Sequence, residues 1–189
     1  MRYVIANFSN RYFTAFRHYR KGLRLPPSWR IAFEAMDSGD YNAGQDVLLF
    51  SNAHVQHDLP FVYAEMGLRT RSGESRKPDH DAVNAINTRV YDGIQDYIAE
   101  HYDPSFEAID ASPSPVEEIV TLEGIKGWRE LAFRNGERLL AAETPADRQR
   151  VAQAIRNNAT RWAELITTVQ NPGHRAARDA YCAASHETT

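Results

Sequence analysis

Residues 42–66 read NAGQDVLLFSNAHVQHDLPFVYAEM, and this stretch sets the expectation for the whole chain. Leu48, Val55, Leu59, Val62 and Met66 form one stripe at helical steps, with Gly67 placed to end the helix. Its middle is unusual, because Ser51, Asn52, His54, Gln56 and Asp58 interrupt the most apolar segment of the chain. His54 and Asp58 are four residues apart, so they share a helical face, and Ser51 lies on it too. His57 falls on Asp58's flank and is expected to be the more exposed histidine. Pro60 removes a backbone hydrogen bond, which predicts a bend beside His54–Asp58 and a freed carbonyl near Gln56.

The same period continues outward from this segment. Helices are expected over about Ser9–Gly22, from Pro26-Pro27-Ser28 to Asp37, over Pro78–His101, over Val116–Ala142 and over Pro145–Gln170. Gly124, Gly127 and Gly136 divide the Val116–Ala142 region in this reading. Strict alternation is nearly absent. The expected fold is therefore all-α, a single-domain bundle of about six helices over residues 1–189, with about 1–8 and 182–189 frayed.

Composition supports that reading. The chain has 189 residues, 42% hydrophobic and 25% charged, with 20 aromatics to fill a core. A net charge of −3 gives no general attraction to nucleic acid or to an anionic membrane. One cysteine, Cys182, excludes an internal disulfide and a Cys-rich zinc site. No apolar run approaches the ~20 residues of a membrane span, and MRYVIANFSNRYF lacks a signal-peptide core. The expectation is a soluble cytoplasmic protein.

Chemistry is expected at the His54–Asp58 face. A carboxylate one turn away can orient and charge a histidine for proton transfer, or the two can simply bond each other within a core. The density of polar residues around them favours function. His80, Asn84, Asn87 and Tyr91 form a second polar stripe on the Pro78–His101 helix. Antiparallel packing of this helix on residues 42–66 would give a pocket lined by Ser51, Asn52, His54, Asp58, His80, Asn84, Asn87 and Tyr91. His54, Asp58 and His80 could alternatively hold zinc or iron, but Asp58 lies ~12 Å of helical rise before the turn. Basic residues cluster at Arg11, Arg17, Arg20, Lys21 and Arg24, and at Arg69, Arg71, Arg76 and Lys77. They could receive a phosphate or carboxylate, although a solvated face is the ordinary reading. Trp29, Trp128 and Trp162 read as packing residues.

Leu48-Leu49-Phe50-Ser51-Asn52-Ala53-His54-Val55-Gln56-His57-Asp58-Leu59-Pro60 resembles the hallmark of a bacterial helical family. That family is domain of unknown function 5995, with a motif of the form L-L-x-x-N-A-H-[IV]-x-x-D-L-P. Trp29-x3-Phe33 and Asp81-x2-Asn84 also look like it, and the likeness spans about residues 10–140. It implies an all-helical fold with Asn52, His54 and Asp58 as the signature, and no activity. His54-x3-Asp58 is also similar to a fragment of zinc-dependent phospholipase C and nuclease P1-type enzymes. Their N-terminal tryptophan ligand has no counterpart in Met1-Arg2-Tyr3, so a trinuclear zinc site is not expected.

Taken together, the sequence points to a metal-free acid–base enzyme acting on a small organic substrate. Cyclisation, dehydration or isomerisation in bacterial secondary metabolism suits such a pocket. His54 and Asp58 would be catalytic, and Ser51, Asn52, His80, Asn84, Asn87 and Tyr91 would bind substrate. A mononuclear metal hydrolase and a non-catalytic ligand-binding protein are the alternatives.

Overall fold

A computed structural model describes residues 2–101, 103, 122–170, 176, 179–181 and 183–184. Its helices are α1 (Arg2–Arg20), α2 (Pro27–Ser38), α3 (Ala43–Ser51), a π-helical segment (Asn52–Asp58), α4 (Leu59–Met66), α5 (Lys77–His101), α6 (Leu122–Ala141) and α7 (Pro145–Ile166). Among the described residues there is no strand, only an isolated bridge between Arg69 and Ser75. The fold is all-α and single-domain, as expected.

Local chemistry explains most boundaries. Asn42 and Gln45 form a capping box at the start of α3, which satisfies two otherwise orphaned backbone N–H groups. Thr144 caps α7 by accepting the Asp147 N–H, and prolines open α2 and α7. Gly39 ends α2 at φ 68°, a conformation in which a side chain would be strained.

Three boundaries differ from expectation. Helix α1 begins at Arg2 rather than near Ser9, because residues 2–8 contain no glycine or proline and Phe8 packs on the core. The expected Asn42–Met66 helix is three segments, since its middle turn and a half is π-wound. Helix α6 runs unbroken through Gly124, Gly127 and Gly136, and residues 116–121 of that expectation lie outside the described set. Cys182 lies outside it as well.

The π segment is the hub of the bundle, packed against α1, α2, α3, α4, α6 and α7. The broadest pairing is α4 on α6. There Gly136 comes so close to α4 that a Cβ on it would lie 2.8 Å from the Tyr63 Cβ. The core proper gathers Leu48, Leu49, Leu59, Trp128 and Phe133 around this contact. A second cluster of Ala15, Trp29, Phe33 and Ala53 joins α1 and α2 to the π segment. Helix α5 packs chiefly on α6 instead of lying along residues 42–66.

Candidate functional site

The π winding sends polar side chains out of the same short segment in two directions. Leu59 N–H reaches back five residues to the His54 carbonyl, the hydrogen-bond pattern that defines this rare helix. Pro60 follows immediately, and its ring would crowd the carbonyl four residues back in an ordinary α-helix. The bend anticipated from Pro60 thus takes the form of a widened turn.

The first direction is toward α7. Asn52 Nδ2 donates to the Ala159 carbonyl (2.8 Å) and Gln56 Nε2 donates to Asn52 Oδ1 (2.8 Å). Asn158 Nδ2 donates in turn to Gln56 Oε1 (2.7 Å). These buried amides are satisfied by one another and by backbone, which is how a core accommodates them. Asn52 therefore ties the π segment to α7 and does not line the Asp58 cleft.

The second direction is toward α1 and α2, and Asp58 is its centre. Its side chain is 5% exposed, yet it accepts three N–H groups. His57 Nδ1–H donates to Oδ1 at 2.8 Å, His54 Nδ1–H to Oδ2 at 3.2 Å, and Trp29 Nε1–H to Oδ2 at 3.1 Å. Burial pushes the carboxyl pKa up, but the hydrogen bonds from His54 and His57 outweigh it and hold the net value below the usual carboxylate range. Asp58 is thus an ionised carboxylate that fixes both imidazoles through Nδ1, leaving each Nε2 on the side of its ring away from the carboxylate.

The two histidines then differ. His54 stacks on Phe8 with ring centroids 3.5 Å apart and is half-buried. His57, expected to be the more exposed, is the more buried, because the wide turn swings it inward beside Asp58. Its Nε2 is buried and has no hydrogen-bond partner among the described residues. His57, Asp58 and Trp29 form one end of a cleft of about 470 Å³ whose other wall is α1, with Asn7, Asn10, Arg11 and Thr14. Arg11 pairs with Glu65 across it at 2.5 Å. Phe61 flanks His57 at 5.7 Å.

The expected common pocket does not form. His80 is buried against Tyr63, whose hydroxyl lies 2.6 Å from Nδ1. Asn84 accepts from Arg129 Nε (2.6 Å), Asn87 is half-buried on the same helix, and the side chain of Tyr91 lies outside the described residues. His80, Asn84 and Asn87 lie on α5, which packs chiefly on α6, and none of the three lines the Asp58 cleft. Ser51 is half-buried at the end of α3 and does not line it either. For the same reason His54, Asp58 and His80 do not converge on a metal position.

Among the described residues the donors that cluster are His80, Asp81 and Glu130, within 4.8 Å of one another. Lys77 already bridges both carboxylates, at 2.5 and 3.0 Å. Burial, then Arg129 and Lys77, push the His80 pKa down to about 4, so the ring is neutral. Burial also raises the Tyr63 pKa, so its hydroxyl keeps its proton and donates to His80 Nδ1. The ring hydrogen then sits on Nε2, facing Glu130 at 3.9 Å. That tautomer and the Lys77 bridge make the group a charge-balanced strut rather than an open metal site.

Three cleft features were missed in the sequence. Trp29 read as packing, although it also donates to Asp58. His57 looked peripheral because an α-helical turn was assumed. The wall residues of α1 were legible in principle, since Asn7, Asn10, Thr14 and His18 recur at three- and four-residue steps between aromatics.

No helix of the described residues is long and apolar enough to cross a membrane. Neither a curated protein nor a solved structure matches the chain. A family model, described as "Family of unknown function (DUF5995)", matches residues 1–169, most of the described helical bundle. Trp29, His54 and His57 meet at one buried carboxylate, that of Asp58, and the chain that builds this arrangement belongs to the family DUF5995.

Proposed function

We propose that this chain is a small-molecule enzyme in which the His57–Asp58 pair performs acid–base chemistry at the cleft between α1 and the π segment. The observation that carries the reading is the buried, unpartnered Nε2 of His57, held opposite an Nδ1–H that is bonded to an ionised Asp58. An unpaired buried acceptor costs stability, and the neighbouring amides Asn52 and Gln56 show that this segment can satisfy its polar groups elsewhere.

In this scheme His57 Nε2 takes a proton from the substrate. The resulting imidazolium is stabilised by the Asp58 carboxylate 2.8 Å from Nδ1. The His54 hydrogen bond helps keep that carboxylate ionised and the Trp29 N–H helps orient it, so His54 acts as a positioning residue. Return of the proton to another carbon gives isomerisation, and its delivery to a departing hydroxyl gives dehydration. Leu25, Pro26 and Trp29 offer an apolar wall for an organic substrate. A cyclisation, dehydration or isomerisation in bacterial secondary metabolism fits this arrangement.

The test is conversion of small molecules in a bacterial metabolite extract, followed by mass spectrometry with wild-type, His57→Gln and Asp58→Asn proteins. The expected result is a product formed by the wild type and lost by ~10²–10⁴-fold in His57→Gln, with helical circular dichroism retained. Conversion that persists in His57→Gln overturns the reading. Binding of an extract component without conversion favours the non-catalytic alternative.

A further inference from the structure

Seven Lys and Arg residues and no Asp or Glu fall within residues 1–33, in a chain whose net charge is −3. This segment builds α1, most of α2 and the turn between them. The cleft therefore sits on the positive side of an acidic protein, where a field of one sign concentrates oppositely charged ligands.

The charges inside the cleft are unequal in their commitments. Arg11 is held by Glu65, and Asp58 is saturated by three N–H donors. Arg24 lines the same cleft and is exposed, with no hydrogen bond or ion pair to any of the described residues. Its position is set by a tight turn: Leu23 N–H donates to the His18 carbonyl (2.9 Å) and Gly22 adopts φ 63°. His18 and Arg24 thus come to the same cleft from the two sides of that turn. A second hollow of about 650 Å³, lined by Arg24, Arg30 and Glu34, shares Arg24 and Leu25 with it. An unpaired guanidinium on a fixed turn is suited to bidentate capture of a carboxylate or phosphate.

We propose that the substrate of this site carries an oxyanion, a carboxylate or a phosphate, held by Arg24 and His18. Its body lies on Leu25, Pro26 and Trp29, and its labile proton reaches His57. The last contact rests on the acid–base reading above, while the anion site stands independently of it.

The experiment uses the full chain labelled with ¹⁵N and titrated with benzoate, phenyl phosphate and, as the neutral control, benzyl alcohol. The readout is the indole N–H signal of Trp29, assigned by Trp29→Phe. The expected result is a saturable shift with at least one anion and none with benzyl alcohol. Binding should weaken about tenfold or more in Arg24→Gln and be unchanged in Arg71→Gln, which lies outside the cleft. The stronger of the two anions identifies the headgroup. Absence of a saturable shift with both anions, equal affinity in Arg24→Gln, or a response to the polyanion heparin alone overturns the proposal. His57→Gln separates the two claims. Anion binding retained there with conversion intact defeats the acid–base reading alone, whereas lost anion binding in wild type leaves the His57 chemistry standing.

Discussion

Asp58 accepts from three N–H donors, so its removal takes away the partner of His54, His57 and Trp29 together. Asp58→Ala is expected to destabilise the fold by about 3 kcal/mol, read as a lower urea midpoint. Asp58→Asn should cost less, because its amide oxygen still accepts two of the three. The other histidine of interest behaves differently. Burial, Arg129 and Lys77 hold the His80 pKa near 4 against an ordinary 6.5, so the unfolded chain binds that proton more readily than the folded one. Stability contributed by neutral His80 is complete above about 6.5 and lost as pH falls toward 4. Chemical denaturation between pH 7 and 4 should show this arm, and His80→Gln should flatten it. The Asp58 contribution disappears at lower pH, below the ordinary carboxylate value, because its folded pKa is depressed.

At the scale of elements, the fold depends on how closely α6 can approach α4. A methyl group on Gly136 would meet the Tyr63 Cβ at 2.8 Å and the Pro60 carbonyl at 3.5 Å, with backbone on one side and little room to yield. Gly136→Ala is expected to destabilise by about 1–3 kcal/mol. Gly127, on the same helix, has nothing within 4 Å of its would-be Cβ. Gly127→Ala should therefore stabilise by about 0.5–1 kcal/mol through helix propensity alone. Thermal unfolding of the pair, run side by side, distinguishes contact from propensity. The π segment is the other decisive element. Its widened turn puts Asn52 and Gln56 on α7 while Asp58 and its two histidines face the opposite side.

Over the whole molecule, charge is segregated: the basic first 33 residues wall the cleft, and the acidic excess lies in the remainder. Oxyanion binding at the cleft should accordingly weaken as ionic strength rises from 0.05 to 0.5 M, more steeply in wild type than in Arg24→Gln, by titration at both salts. The sequence by itself determined the helical class, most helix ends and the centrality of residues 52–60. Those follow from apolar period, capping residues and proline, which act within a turn or two of their own position. It also placed His54 and Asp58 in contact, since i, i+4 neighbours meet on any helix. Partner choice between distant helices was decided only in the tertiary structure. His80 and Asn84 went to Tyr63 and Arg129 because α5 docks on α6, and nothing local to residues 77–101 encodes that. Likewise His57 became the buried histidine, and Trp29 the third donor to Asp58, only once α1 and α2 closed over a π turn. Such contacts depend on the simultaneous packing of separate helices, which no periodicity within one helix can specify.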